Sequence, residues 1–285
     1  MPARKITVFR GWKDTTKFVW SPYVTKLEAR LRFGGVAYTA EAGSPRSAPK
    51  GKIPYVEISP PLRRESEERE LEVPITAEVA GTQVLADSTL ITKALCDAGV
   101  LPDLNVRLSK AERVHDLALR ALLEDKMSFY NSWERWTQNY YTMRDHVLWP
   151  IPWAVRVFVG SMVYKKTVAT LHGQGTGRFS AEEIAMFRRE IWESFADLLH
   201  EAKAKTRPKA KEGEDDDADN DEPFWLLGGS EPTEVDAVLF GFVASSLLCT
   251  AGPESQAEVK KLPILADYAR RIGKRFFSDY EPLPL

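Results

Sequence analysis

Cysteine is nearly absent: Cys96 and Cys249 are the only two in 285 residues. They lie far apart, which fits reduced intracellular thiols and excludes a disulfide scaffold. Histidine is also scarce, and His115, His146, His172 and His200 show neither close ligand spacing nor neighbouring cysteines, so no metal centre is expected. An excess of one charge is missing too: 39 Lys and Arg stand against 41 Asp and Glu, a net charge of −2 that gives no electrostatic reason to expect nucleic acid. No window reaches the roughly 18 uninterrupted apolar residues of a membrane-spanning helix. The longest candidate, Val235 to Leu248, carries Asp236 and two serines and has the length of a buried core helix. The first thirty residues mix Arg4, Lys5, Arg10, Lys13 and Lys17 with other types and contain no apolar core of a secretory signal, so a cytoplasmic protein without membrane insertion is expected. What remains is a soluble chain with enough length for two buried cores.

The first hundred residues alternate strand and helix signals. Lys5-Ile6-Thr7-Val8-Phe9 is a β-branched run that predicts a first strand. From Ser21, apolar residues Val24, Leu27, Leu31 and Phe33 recur at near-helical spacing, with Ser21 as N-cap and Pro22 in the first turn, where its missing N–H costs little. Gly34-Gly35 ends this helix, and Val36 to Thr39 is expected as a second strand. A loop from Gly43 to Gly51 leads to Ile53-Pro54-Tyr55-Val56-Glu57-Ile58, a strand whose proline must sit at its start. Residues 60 to 74 are charged, with prolines near both ends, and predict an exposed loop. Val84-Leu85-Ala86 is the next strand, and Asp87-Ser88 caps a helix through about Cys96. The order is β-α-β, then β-β-α, the layout of a thioredoxin-like α/β domain over residues 1–101, with Pro102 marking a linker.

From residue 105 to 285 the pattern is all helical. Leu108 to about Tyr141 predicts one long helix or a kinked pair, broken by Trp149-Pro150-Ile151-Pro152 before another helix from Trp153. Ser180-Ala181-Glu182-Glu183 is a capping-box sequence that opens a helix to about Lys205. The stretch 205–222 is basic, then strongly acidic, with no large apolar residue, and is expected as a disordered, solvated loop. Thr233-Glu234-Val235-Asp236 has the spacing of a second capping box before the apolar run. The aromatic series Phe129, Tyr130, Trp133, Trp136, Tyr140 and Tyr141 places Phe129, Trp133, Trp136 and Tyr140 on one face of a regular helix.

Several segments carry a resemblance over most of the chain: Ser21-Pro22-Tyr23-Val24-Thr25-Lys26-Leu27-Glu28, Gly51-Lys52-Ile53-Pro54-Tyr55-Val56-Glu57, Leu85-Ala86-Asp87-Ser88, His172-Gly173 with Gly177-Arg178, and Pro232-Thr233-Glu234-Val235-Asp236. With these the chain resembles glutathione S-transferases, and its wording is similar to the failed-axon-connections and metaxin-like branch. The resemblance implies a thioredoxin-like domain joined to an all-helical domain, and glutathione as substrate or cofactor, with no metal. Ser21 falls where serine-type transferases place the hydroxyl that bonds the glutathione sulfur. A thiol of pKa about 8.5 is mostly protonated at neutral pH, and a donor together with a helix N-terminus favours the thiolate. Pro54 is implied to be cis, turning the backbone of Ile53 toward the cysteinyl unit of glutathione. Asp87 and Ser88 would hold the γ-glutamyl ammonium and carboxylate; many family members carry Glu at the first position. Lys52, with Lys50 as backup, could pair with the glycyl carboxylate. Part of the aromatic face, Phe129, Trp133 and Trp136, with Trp12, Trp20 and Tyr23 opposite, would line a pocket for an apolar co-substrate between the domains.

The activity implied is attack of the glutathione thiolate on an apolar electrophile. One alternative is a glutathione-dependent cis–trans isomerase acting on a small-molecule metabolite, through addition to a conjugated alkene and later expulsion. Another is a non-catalytic, metaxin-like adapter. A homodimer is an inheritance of the resemblance.

Overall fold

The computed structural model describes residues 4–62, 77–79, 81–206 and 221–285. Five strands, β1 (Lys5–Phe9), β2 (Thr39–Glu41), β3 (Tyr55–Ser59), β4 (Ala77–Val79) and β5 (Thr82–Ala86), form a sheet in the order β2-β1-β3-β5-β4. β2 runs parallel to β1, and every other pairing is antiparallel. Helices α1 (Pro22–Phe33) and α2 (Ser88–Asp97) cover one face. Ile6, Val8, Val56, Ile58 and Leu85 from the strands close a core with Leu27 and Leu31 of α1 and Ile91 and Leu95 of α2.

Helix α1 ends as its glycines demand. The N–H of Val36 donates to Leu31 O at 2.9 Å and Gly35, at φ +67°, donates to Arg32 O at 3.1 Å, which satisfies carbonyls the helix would otherwise leave open. This closure also explains why β2 begins at Thr39 and not at Val36: the first residues of the expected strand are still tied to the helix end. Strand β4 was not anticipated; it is short and pairs only with β5. The expected exposed loop at 60–74 is corrected at Leu62, which is 5% exposed in the domain core, with its N–H bonded to Gln83 Oε1 at 2.9 Å. Residues 63–74 of that loop lie outside the described residues.

The second domain is helical: α3 (Lys110–Ala121), α4 (Ser128–Trp133), α5 (Tyr140–Val147), α6 (Trp153–Gln174), α7 (Ala181–Thr206), α8 (Glu234–Leu248), α9 (Pro253–Lys260) and α10 (Pro263–Phe276). The expected long helix or kinked pair from Leu108 is helical without a gap from Lys110 to Gln138, with π-helical turns at Leu122–Met127 and Glu134–Gln138 following α3 and α4, and a bend at Asn139 sets off α5. Ser180 and Glu183 form the expected capping bonds, at 2.8 and 3.2 Å. Of the charged stretch, residues 207–220 lie outside the described ones. Its end is not a free loop: Asp221 pairs with Arg270 at 2.6 Å and with Lys274, and Glu222 pairs with Arg275 at 2.6 Å, because the basic end of α10 faces it.

Helix α8 is the axis of the molecule, with every residue from Val235 to Leu247 buried. Its N-terminal donors are all answered. Glu234 N–H donates to Asn105 Oδ1 at 3.0 Å, Val235 N–H to Asp116 Oδ1 at 2.9 Å, and Asp236 closes the capping box with Thr233. Helix α1 lies against α8, and Gly241 permits the approach: a Cβ there would stand 2.5 Å from Pro22 O and 2.9 Å from Lys26 N. Three charged residues of α1, Lys26, Glu28 and Arg30, are buried where the helix packs. Lys26 pairs with Glu124 at 2.5 Å, Glu28 with Arg10 at 2.7 Å, and Arg30 with Glu234 at 2.7 Å. Removing one partner of such a pair leaves an uncompensated buried charge. Lys26–Glu124 and Arg30–Glu234 tie the two domains together, whereas Glu28–Arg10 lies within the first. Among the described residues no single helix is long and apolar enough to cross a membrane.

Candidate functional site

Sheet register assembles the site. Phe9 pairs with Tyr55, and Tyr55 pairs with Ala86, so one edge of the sheet holds the end of β1, the residues before β3 and the residues after β5. Gly11 and Trp12, Ile53 and Pro54, and Asp87 and Ser88 thereby become neighbours although up to 77 positions separate them in sequence. The Ile53–Pro54 peptide is cis. Gly11, at φ +77°, carries no Cβ because that atom would fall 2.3 Å from Ile53 Cδ1.

Ser21 is the N-cap of α1 in extended backbone geometry, φ −81° and ψ 114°, yet its side chain makes no capping hydrogen bond. The hydroxyl of this half-buried residue is therefore left for something else at a helix N-terminus, where partial positive charge favours an anion. Asp87 does cap its helix: its Oδ1 accepts from Thr89 N–H at 3.0 Å and Leu90 N–H at 3.2 Å. It is also the only described non-glycine residue at positive φ, +79°, a sparsely populated conformation that persists where its surroundings impose it. Burial is the main cause that pushes Tyr23 up to about 12, and the charges of Glu124, Asp125 and Asp87 add to it. Ser88, the first residue of α2, is buried, whereas Lys50 and Lys52 are exposed.

The aromatic candidates divide. Trp12 and Trp20 do stand together, but with His146 of α5 between them: its imidazole stacks on Trp20 at a centroid distance of 3.5 Å and on Trp12 at 4.2 Å. Sequence reading considered His146 only as a metal ligand and missed this role, since no local pattern marks a ring clamped by two distant indoles. Tyr23 donates its hydroxyl to Glu124 O at 3.2 Å and packs on Phe242. The single aromatic face is corrected by the π-helical turn at Glu134–Gln138, which shifts the register between its members. Trp133 packs on the helical-domain core, while Trp136 meets Tyr140 at 6.4 Å, and Tyr140 leans on Tyr164 of α6. Phe129 is half-buried. Two surface cavities of about 490 and 340 Å³ are lined by Arg32, Tyr38 and Asp279 and by Phe277 to Leu285, and neither is lined by Ser21 or these aromatics.

Burial between the indoles, with the charge of Arg135 as a lesser cause, lowers His146 from 6.5 to about 4. The unfolded chain then binds a proton more readily than the folded one below pH 6.5. The stability linked to His146 is full above that pH and is lost as pH falls toward 4, by ~1–2 kcal/mol once partial exposure is allowed for. Urea unfolding of wild type and H146Q across this window checks it: the variant is expected to show the flatter pH dependence.

Comparisons with known proteins agree with this architecture. Residues 22–143 match the glutathione S-transferase N-terminal domain and residues 221–272 the glutathione S-transferase C-terminal domain, together more than half of the chain. The chain belongs to the glutathione S-transferase superfamily. It is 26% identical over 275 residues to the isoprene-epoxide–glutathione S-transferase of Rhodococcus sp. (strain AD45), covering 90% of this chain and 92% of that one. Its fold is similar to glutathione S-transferase III in apo form, with 13% identity, TM-score 0.50 and coverage of 99% and 98%. A rice glutathione S-transferase solved with glutathione has 16% identity, TM-score 0.50 and coverage of 99% and 93%.

Proposed function

We propose that the chain binds glutathione along the sheet edge formed by Ile53-Pro54 and Asp87-Ser88, with its sulfur at Ser21, and transfers it to an apolar electrophile. The observation that supports this reading is the Ser21 hydroxyl, which makes no capping bond at the N-terminus of α1, together with the strand register that brings the other two segments side by side. Asp87 has one carboxylate oxygen beyond its capping bonds to meet an ammonium group, and Lys50 and Lys52 stand free in solvent to meet a carboxylate. Trp12 and Trp20 offer the apolar wall beside Ser21.

The relative that acts on isoprene epoxide directs the choice of electrophile toward small epoxides. In that reaction the thiolate would form a carbon–sulfur bond at one ring carbon, the ring carbon–oxygen bond would break, and the alkoxide would take a proton to give a thioether alcohol. Mass spectrometry of glutathione incubated with the protein and a panel of small epoxides tests it. The thioether is expected; an unchanged glutathione pool with an isomerised alkene substrate would favour the isomerase instead. Absence of glutathione binding in calorimetry at millimolar concentration would favour the adapter suggested by the metaxin-like resemblance.

Ser21→Ala is expected to lower kcat/KM by about 10²-fold, the scale for removal of one donor to a developing or stabilised anion. Glutathione affinity should change far less, because the tripeptide backbone contacts do not involve the hydroxyl. Steady-state kinetics with glutathione as the varied substrate separates the two quantities.

A further inference from the structure

We propose that Arg135 is a positioning residue for the glutathione thiolate, holding the peptide unit of Ser21 and supplying the positive charge that the sulfur answers; this rests on the reading of the sheet edge as a glutathione site. Arg135 sits on the second π-helical turn and is 7% exposed. Its Nη1 donates to the Trp20 carbonyl at 3.2 Å and its Nη2 to Ser245 Oγ at 3.0 Å, while Ser245 Oγ itself donates to the same carbonyl at 2.5 Å. That carbonyl and the Ser21 N–H belong to one peptide plane. A guanidinium on the helical domain thereby grips the backbone that presents the Ser21 hydroxyl.

The electrostatics of Arg135 are unusual. A buried guanidinium is costly unless an anion compensates it. Among the described residues Arg135 forms no ion pair, and its Nε is buried without a hydrogen-bond partner. The other buried charges nearby have partners within the chain. Lys26 pairs with Glu124 at 2.5 Å, and Glu134 with Arg188 at 2.8 Å and with the Glu254 N–H at 2.8 Å, while Asp87 gives one carboxylate oxygen to the N-terminus of α2. Burial keeps His146 on Trp20, Tyr23 on Glu124 and the Cys249 thiol in their neutral forms at neutral pH. Lys50 and Lys52 are exposed, where water and salt screen them.

The cation left over is that of Arg135, bonded to the peptide unit that carries the Ser21 N–H, and among the described residues the Ser21 hydroxyl makes no capping bond. A thiolate at Ser21 would supply the counter-charge, and the fork anchored on Trp20 and Ser245 would need no rearrangement to receive it. The bound thiol is thereby made more acidic than free glutathione.

Ultraviolet titration of the thiolate of glutathione bound to the full chain tests this. The wild-type complex is expected to ionise below free glutathione. R135Q is expected to bind glutathione with its thiol pKa raised by about one unit, a roughly tenfold drop in the acid dissociation constant of the thiol. R135K, which keeps the charge and loses the fork, should retain most of the acidity with weaker binding. Ser245→Ala, which removes one anchor and leaves the charge, should hold the thiol near its wild-type pKa. An R135Q complex that titrates like wild type overturns the proposal and leaves the glutathione site standing. So does a wild-type thiol no more acidic than free glutathione, a result that needs no variant. A wild-type chain that binds no glutathione removes both the site and the role of Arg135.

Discussion

Replacing Asp236 by alanine is expected to lower the unfolding free energy by ~3–5 kcal/mol, the range reserved for broken buried polar networks. Its carboxylate is fully buried and accepts four hydrogen bonds: from the N–H of Leu226 at 2.8 Å, the N–H of Thr233 at 2.8 Å, the Thr233 hydroxyl at 2.7 Å and the Tyr268 hydroxyl at 3.0 Å. Alanine would strand two backbone donors that cannot rotate toward another partner. The loss would reach beyond a helix cap, because these donors come from the segment before α8, from the cap itself and from α10. Asp236→Asn is the sharper control, since its amide would set a new donor among existing donors and should also destabilise, by ~2–3 kcal/mol. Urea unfolding followed by tryptophan fluorescence and circular dichroism measures both, with the midpoint moving at unchanged m. A loss below about 1 kcal/mol for Asp236→Ala, the size of an ordinary exposed cap, would show that the network is redundant.

Gly241→Val should act on fold and site together. The added Cβ meets backbone atoms, Pro22 O at 2.5 Å and Lys26 N at 2.9 Å, which cannot swing aside as a side chain would. Helix α1 must then withdraw from α8, at a cost of ~3 kcal/mol or more, the upper part of the range for overpacking. Ser21 immediately precedes the displaced turn, and the Trp20 carbonyl would lose its register with Arg135 and Ser245. Glutathione affinity is therefore expected to fall at least about tenfold in whatever fraction remains folded. Gly273→Ala on α10 provides the contrast. It faces open space, with no atom within 4 Å of the added Cβ, and should stabilise by up to ~1 kcal/mol through helix propensity alone. If both glycine variants behaved alike, close packing of α1 on α8 would not be what Gly241 serves.

The elements that were legible in the sequence are those written in local chemistry. Ser21-Pro22 and Gly34-Gly35 mark the two ends of α1, Asp87-Ser88 begins α2, Ser180 with Glu183 opens α7, and Thr233 with Asp236 opens α8; each signal spans a few residues and acts within them. What escaped depends on partners far along the chain. β2 shifted because Val36 is held by Leu31, and the aromatic face split because the π-helical turn at Glu134–Gln138 changes the register of a segment whose composition looks regular. The candidate site was legible as three separate segments, and it becomes one place only through the pairing of Phe9 with Tyr55 and Tyr55 with Ala86.

The sequence by itself determined the two-part architecture and the residue types presented at the sheet edge, because helix caps, glycine stops and apolar periodicity are short-range effects. Only the tertiary structure decided what the polar residues of α1 and its surroundings do. Lys26, Glu28 and Arg30 are charged residues of types that usually face solvent, yet all three are buried in ion pairs, since α1 lies between the sheet and the helical domain. His146 and Arg135 arrive beside Trp20 from more than a hundred residues away. Their meaning comes from desolvation and from which charges remain unpaired, and both exist only once the chain has closed around them.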